Sequence, residues 1–329
     1  MREFDSIWAE MEPWLSGLED RRKAAVKRQV TGILVAIPVG LGVLVFALML
    51  GAPGGLGLFG AAVAGIAIAG YAGLPLNALR TELKSGLNNR LAVAFGLRYA
   101  PKPLNPAHFD SFRSHGLVPR SDRRSFEDHF EGEAFGASFE LYEAELQQRR
   151  RSRKRTYYVT VFRGVLIRVA FPRTIEGVTL ITRDQGIFNA LDGLMRSANG
   201  RRLERIGLVD PKFERIFQVY GTDQVMARYL MTPTFMERVL ALETALKGKN
   251  VRAVFDEALR EGFGQGEMLL AAETGNLFEP GSLFKPLDAR ERVEVLYRDF
   301  ELIEEIIRVI LKPEEKPEWM SQAGPQQTS

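Results

Sequence analysis

Residues that could take part in catalysis lie mainly between positions 108 and 145 of this 329-residue chain. The three histidines, His108, His115 and His129, match neither the H-E-x-x-H spacing nor another metal-ligand pattern. Isolated surface histidines are the ordinary case. Residues 136–140, Gly-Ala-Ser-Phe-Glu, approach the G-x-S-x-G nucleophile elbow but lack its last glycine. These residues therefore predict neither a metal centre nor an acyl-transfer site.

Two carboxylates, Glu143 and Glu145, have a spacing that could divide acid and base roles. Side chains two residues apart project from one face of a strand, where one group could donate a proton and the other accept it. Alternating charges on a solvent-exposed face are an equally simple explanation. We therefore predict no catalytic, cofactor-binding or metal-binding residue and no cofactor. An enzyme would become the better interpretation if a polar pocket gathered titratable groups around Glu143, Glu145 or Asp223.

A cluster of six cations in seven positions is the most distinctive charge feature of the chain. Its members are Arg149, Arg150, Arg151, Arg153, Lys154 and Arg155. It follows residues 127–148, which contain seven acids and no Lys or Arg. A basic hairpin loop could gain about 1 kcal/mol per cation from anionic lipid headgroups. Nucleic acid is a less favoured partner because the cluster contains no aromatic residue, and a solvated hairpin tip balanced by the neighbouring acids remains open.

Residues 29–79 contain no Asp, Glu, Lys or Arg. This stretch holds two apolar runs of 21 residues, 30–50 and 56–76, joined by Gly-Ala-Pro-Gly-Gly. Each run reaches roughly 30 Å as a helix, the thickness of a bilayer's hydrocarbon core. The sequence therefore predicts a transmembrane helical hairpin. A cleaved signal peptide fits poorly, because six acids occur within the 29 residues before the first run.

Small residues recur at every fourth position of both runs, and such faces let helix backbones approach closely. They are Gly32, Ala36 and Gly40 in the first run and Ala61, Gly65, Ala69 and Gly73 in the second. The short turn favours pairing within one hairpin, and pairing between protomers stays open. Residues 55–60 match the letters G-x-G-x-x-G, but they open an apolar span instead of following a strand, so they indicate helix packing and not a dinucleotide site.

Cations flank the hairpin on its two outer sides, and none lies in the turn. They are Arg21, Arg22, Lys23, Lys27 and Arg28 before the first run and Arg80, Lys84, Arg90 and Arg98 after the second. The positive-inside rule then places both termini in the cytoplasm. The chain has no cysteine, which fits a reducing compartment.

The remaining segments divide into four predicted parts. Residues 1–29 have an amphipathic helical stripe, which could lie on the bilayer or dock on the soluble domain. Residues 77–99 continue the second helix as a cytoplasmic stalk. Residues 100–311 form an α+β cytoplasmic domain, and residues 312–329 form a disordered tail.

Aromatic and β-branched residues predict strands in this domain. The clearest strands are 139–147 and 156–171, with a possible bulge or bend at Arg163-Gly164, and weaker ones are 178–182, 217–220, 253–255 and 268–272. Thr232-Pro233 is typical of a helix start, with Thr234 and Glu237 as a competing capping box. A final helix, 288–311, has an apolar seam that would pack on the sheet or form a dimer seam.

Two ordered sets of motifs resemble a known family. The first contains Leu-Arg-Tyr-Ala-Pro at 97–101, Phe109 and Phe112, Phe-Glu-Asp-His-Phe-Glu-Gly at 126–132 and Phe-Glu-Leu-Tyr-Glu-Ala at 139–144. The second contains Phe213, Phe217, Val-Tyr-Gly-Thr-Asp at 219–223, Ala-Arg-Tyr-Leu-Met-Thr-Pro at 227–233 and Leu-Phe-Glu-Pro at 277–280. This order behind two spans resembles an uncharacterised bacterial family of two-span membrane proteins, domain of unknown function 3137. The resemblance implies a bacterial inner-membrane protein and carries over no functional residue.

These observations predict an α+β cytoplasmic domain, anchored by a two-helix hairpin, that acts as an interaction or scaffolding module with a protein partner. A module that responds to anionic lipid and an unrecognised enzyme are the alternatives.

Overall fold

A computed structural model describes residues 3–104, 106, 108–152, 155–171, 174–183, 202–246, 250–259 and 266–312. The helices are α1 (Phe4–Met49), α2 (Gly54–Ala94), α3 (Phe109–Ser114), α4 (Pro211–Ile216), α5 (Gln224–Leu230), α6 (Pro233–Ala245) and α7 (Arg290–Leu311). The strands are β1 (Arg98–Ala100), β2 (Arg123–Ala134), β3 (Ala137–Arg151), β4 (Thr156–Ala170), β5 (Val178–Arg183), β6 (Glu204–Ile206), β7 (Phe217–Gly221), β8 (Val251–Asp256) and β9 (Glu267–Ala272). The predicted tail lies outside the described residues, apart from Lys312.

The chain divides into two compact units, and the first is not contiguous in sequence. One unit combines Met1–Phe95 with Phe278–Phe300, and the other combines Gly96–Leu277 with Glu301–Ser329. The first unit is helical and contains both apolar runs. The second contains the sheet.

Helices α1 and α2 expose their apolar runs and bury an apolar stripe of their polar-rich ends. Each is long and apolar enough to cross a membrane, and the most apolar 18-residue stretches are only 0% and 11% buried. The core helix of a soluble protein would hide such a stretch. By contrast, the stripe of Ile7, Met11 and Leu15 in α1 is buried.

The amphipathic segment and the first apolar run form one continuous helix, with Pro13 and Pro38 inside it. The predicted stripe packs against protein within the helical unit: the Phe4 ring lies 5.3 Å from that of Tyr297, and the Arg90 guanidinium stacks 3.9 Å from the Trp14 ring. The structure therefore places this stripe against other residues of the helical unit, and not flat on a bilayer.

The small residues of α1 and α2 face each other within one hairpin. A Cβ atom built on Gly32 would lie 2.1 Å from the Ala72 Cβ, and one on Gly40 would lie 3.3 Å from the Ala61 carbonyl oxygen. Only residues without larger side chains permit this approach of the backbones. Pairing within the hairpin is thereby confirmed.

Residues 278–300 complete the helical unit by binding the C-terminal part of α2. Lys84 Nζ lies 2.7 Å from a carboxylate oxygen of Glu279, and Asn88 Nδ2 donates to the Phe278 carbonyl at 3.1 Å. The Phe300 ring contacts Phe95 and Phe278 at 5.3 and 5.2 Å. The last helix was expected to pack its apolar seam on the sheet, but its first half, residues 290–300, belongs to the helical unit.

The second unit is built on a nine-stranded antiparallel sheet in the order β1-β2-β3-β4-β9-β8-β5-β7-β6. The α+β class is therefore confirmed. One face carries a core that includes Tyr142, Leu166, Val254 and Leu269, each fully or nearly fully buried. All six predicted strands are present, whereas β1, β2 and β6 were not predicted.

Two local expectations differ from the structure. The helix predicted through residue 99 ends at Ala94, because Gly96 adopts a φ of 73° and β1 begins at Arg98. The register shift in β4 lies opposite Leu146 and Gln147, and not at Gly164. Gly164 instead allows close packing, because a Cβ atom there would lie 2.0 Å from the Ala272 carbonyl oxygen.

Candidate functional site

A row of charged side chains crosses four strands at one end of the sheet. The register aligns Arg98 in β1 with Glu131 in β2, Glu140 in β3 and Arg168 in β4. Arg98 pairs with Glu131 at 2.6 Å, and Arg168 pairs with Glu140 at 2.6 Å. These four residues line a polar cleft of about 490 Å³. Neighbouring strands therefore assemble a site from residues up to 70 positions apart.

Two histidines and one buried acid extend this row. His129 Nε2 lies 3.3 Å from Glu140 and 3.8 Å from Glu131, and His108 Nε2 lies 3.3 Å from Glu267. Arg168 also donates to Glu267, a nearly fully buried residue, with Nε at 2.9 Å. The prediction that the histidines are isolated on the surface is therefore wrong for His129, whose side chain is only 12% exposed.

The electrostatics of the row favour ionised groups. His129 and then Arg168 hold the pKa of the Glu140 carboxyl below its usual value, and bonds to Glu267 and Glu140 raise the pKa of Arg168. A general acid or base works best with a pKa near the working pH. Glu140 is shifted away from that range, so the cleft is better suited to electrostatic recognition than to proton transfer.

His129, Glu131 and Glu140 could each offer one ligand atom to a metal ion, and these atoms lie within 4.8 Å of one another. Both carboxylates, however, already pair with an arginine. A divalent cation on the carboxylate oxygens that face His129 would share each carboxylate with a guanidinium, which weakens the attraction for the metal. The donor set therefore fits an ion-pair network better than a metal centre.

The two glutamates considered for acid and base roles make structural contacts. Glu143 is only 4% exposed and accepts a hydrogen bond from the Leu277 amide at 2.6 Å. Glu145 accepts from the Thr160 hydroxyl at 2.9 Å and from the Gln147 amide at 3.1 Å. The solvent-face interpretation is therefore wrong for Glu143. Its carboxylate also lies near Glu127 and Asp128, and each could offer an oxygen to a metal ion.

Asp223 and Ser138 have local structural roles. The Asp223 carboxylate accepts from the amides of Val225 and Met226 at 2.7 and 2.8 Å, which caps α5. Ser138 lines the polar cleft and pairs with Glu133 in the β2–β3 ladder. Neither residue is arranged as part of a catalytic group in the described part of the chain.

His115 and Asp256 form a buried pair that the sequence spacing did not indicate. Their side chains are 0% and 1% exposed, and His115 Nε2 lies 2.8 Å from the Asp256 carboxylate. His115 Nδ1 lies 2.8 Å from the Ser111 carbonyl oxygen. Both ring nitrogens thus face acceptor atoms. This pair links the loop after α3 to strand β8.

The basic cluster lies at the outer end of the long β3–β4 hairpin. Arg149, Arg150 and Arg151 are exposed residues of β3 itself, and Arg155 is an exposed residue just before β4. Arg153 and Lys154 lie outside the described residues. The cluster is therefore partly strand, whereas the sequence predicted a loop.

The same end of the hairpin has a strand edge that the sheet does not use. Strand β9 pairs with residues 165–170 of β4, and residues 156–162 pair only with β3 among the strands that the structure describes. Tyr157 and Val159 are 47% and 39% exposed there. Arg123 stacks on Tyr158 at 3.5 Å. An apolar, half-paired edge is thereby placed beside exposed cations.

Comparison with known proteins gives a family match over part of the chain and a weak structural likeness. Residues 160–311 match the family described as Protein of unknown function (DUF3137). The crystal structure of the mycobacterial trehalose monomycolate transport factor A, TtfA, aligns with a TM-score of 0.33 and 11% identity, over 71% of this chain and 98% of that chain. A likeness at that level carries no functional argument. No curated protein matches the chain.

Proposed function

We propose that this chain, whose residues 160–311 belong to the DUF3137 family, is a membrane-anchored interaction module. Its two apolar helices span the bacterial inner membrane, both of its termini face the cytoplasm, and its sheet unit binds a protein partner. The half-paired outer end of the β3–β4 hairpin is the observation that carries the interaction role.

The anchoring role is supported by exposure and by charge. The apolar stretches of α1 and α2 are almost wholly exposed, and water would make that surface costly. The flanks carry cations, whereas the turn around Gly51 carries none. That distribution favours a turn on the outer face of the membrane.

Reporter fusions should test this topology. A fusion after Ser329 is expected to be active with a cytoplasmic reporter, and an insertion between Gly51 and Gly55 is expected to be active with a periplasmic reporter. Export of the Ser329 fusion would overturn the orientation. Release of the untagged chain by carbonate washing would contradict membrane spanning itself.

The interaction role follows from the chemistry of an open strand edge. Such an edge can accept an extended segment through backbone hydrogen bonds, while side-chain contacts and charges select the segment. Exposed Tyr157 and Val159 offer apolar contacts, and Arg149, Arg150 and Arg155 favour acidic partners. The partner expected at this edge is therefore an extended acidic segment with alternating apolar residues.

Anionic lipid is a second candidate for the same cations. Four exposed arginines, Arg149, Arg150, Arg151 and Arg155, could bind headgroup phosphates without the strand edge. This alternative requires charge but not the side chains of Tyr157 and Val159. The two roles can therefore be separated by substitution.

We expect the full chain in uncharged nanodiscs to bind a labelled peptide of alternating Glu and Val. Changing Tyr157→Ser with Val159→Ser, or changing all six cations of the cluster to Gln, should weaken binding about tenfold or more, since strand addition and charge both contribute. Fluorescence anisotropy at two salt concentrations provides the measurement.

The matched control is Val225→Ser with Tyr229→Ser, because both residues are exposed on α5 and far in sequence from the hairpin. This control should bind as the unchanged chain does. Binding to phosphatidylglycerol vesicles that depends on the six cations, without peptide binding, would favour the lipid role. Binding to neither probe would contradict both.

A further inference from the structure

A groove runs along the helical hairpin at the start of the first apolar run and the end of the second. It has a volume of about 750 Å³ and is lined mainly by apolar and small residues of α1 and α2. Gly32 and Ala72 both line the groove, and a Cβ atom on Gly32 would overlap the Ala72 side chain. Small side chains at this crossing leave an open channel on the hairpin surface.

Two cations stand at the polar end of this groove. Lys27 and Arg28 line it together with Ala24 and Thr31, which lie one turn away on α1. The Arg28 guanidinium lies 5.0 Å from the centre of the Tyr71 ring on α2. The groove therefore joins an apolar channel to a positively charged mouth.

These two cations differ from their neighbours on the same helix. Arg21 pairs with Glu82, Arg22 with Glu19, and Lys23 with Asp20. Over the described ranges, neither Lys27 nor Arg28 lies within 4.0 Å of a carboxylate. Their charge is thus available to an anion from outside the protein.

We propose that this groove binds a single anionic phospholipid, with one acyl chain along Gly32 and Ala67 and the phosphate between Lys27 and Arg28. The inference rests on the proposed membrane placement, because an anionic headgroup meets a helix at the end of its apolar run. Charge complementarity and the apolar lining together select a lipid over a soluble anion. Binding by the groove is distinct from the contacts proposed for the β3–β4 hairpin.

Native mass spectrometry of the full chain in detergent tests this site, with phosphatidylglycerol, phosphatidylcholine and inorganic phosphate as separate probes. Lys27→Gln with Arg28→Gln is expected to lower the phosphatidylglycerol affinity roughly 30-fold, the effect of losing two surface cations. Ala67→Phe should reduce binding of both lipids by filling the channel. Phosphatidylcholine and inorganic phosphate should bind the unchanged chain weakly.

Two controls match these changes in charge and volume. Arg21→Gln with Lys23→Gln removes the same charge from cations that have acid partners, and Ala62→Phe adds the same ring at an exposed position outside the groove. Both controls should retain affinity within about twofold. Equal phosphatidylglycerol loss in controls and groove variants would overturn the proposal, as would tight binding of phosphate alone.

The lipid measurement and the topology test can contradict their proposals independently of each other. A cytoplasmic location of the Gly51 turn would contradict the proposed topology, whatever the lipid measurement gives. Lack of lipid selectivity in a chain with the expected topology would remove only the groove site.

Discussion

The Gly164→Ala variant is expected to destabilise the sheet unit strongly, although it adds only one methyl group. The new Cβ atom would lie 2.0 Å from the Ala272 carbonyl oxygen and 2.7 Å from the Thr274 amide nitrogen. Both neighbours are backbone atoms, and the Gly275 amide also donates to the Arg163 carbonyl at 3.1 Å. The chain after β9 cannot move away without breaking that contact.

We expect a cost of roughly 3 kcal/mol or more, because overpacking against backbone forces the strands to shift. That is a large part of the 5 to 15 kcal/mol that stabilises a typical domain. Thermal unfolding of the full chain in detergent, followed by circular dichroism, would measure it. Trypsin resistance of the Gly96–Leu277 segment would show whether the loss is local to this unit.

Gly207→Ala is the matched control for this change. A Cβ atom at Gly207 would meet only the Glu214 side chain, at 3.9 Å. We expect its unfolding temperature to change little, since an alanine at a compatible position alters stability by less than about 1 kcal/mol. Similar unfolding of the two variants would show that the close approach at Gly164 is not what holds β4 and β9 together.

Loss of Asp256 is expected to produce the second large effect. Asp256→Ala leaves His115 buried with no carboxylate on Nε2, in a site where the histidine side chain is 0% exposed. Removing one partner of this buried hydrogen bond leaves the other polar group unsatisfied, which costs about 1 to 3 kcal/mol and more where that group is charged. His115→Ala should cost a comparable amount, and the double variant should cost clearly less than the sum of the two.

Chemical unfolding of the three variants forms the double-mutant cycle. Asp110→Ala serves as a control, because the Asp110 side chain is 89% exposed and its change should stay within about 0.5 kcal/mol. Additive effects of the two single changes would mean that His115 and Asp256 stabilise the unit independently, which contradicts a coupled pair.

Strands with apolar or β-branched composition could be predicted from the sequence, and β2 could not. Residues 156–170 are rich in Val, Tyr and Thr, and β4 covers them. Strand β2 reads Arg-Arg-Ser-Phe-Glu-Asp-His-Phe-Glu-Gly-Glu-Ala, a composition of low strand propensity. Its place between β1 and β3 comes from pairing with neighbours, which local composition does not record. The Thr232 cap was predictable because its side chain bonds the amide of Phe235, three residues further along the chain.

The candidate site also divides into features that local sequence reveals and features that depend on contacts between distant segments. The basic cluster was visible because its members are consecutive in sequence. The charged row was not, because Arg98 and Arg168 are brought together only by the register of four strands. Glu143 was misjudged for a related reason: the Leu277 amide that buries and binds it lies 134 residues further along the chain.

The interrupted sequence of the helical unit has a consequence for biosynthesis. Residues 1–95 leave the ribosome first, but Glu279 and Phe278, which bind Lys84 and Asn88, follow only after the 182 residues of Gly96–Leu277. At about 5 to 20 residues per second the delay is roughly 10 to 40 s. During that time helices α1 and α2 lack the contacts that residues 278–300 supply, so a chaperone has a defined interval in which to protect the surface that these residues later cover.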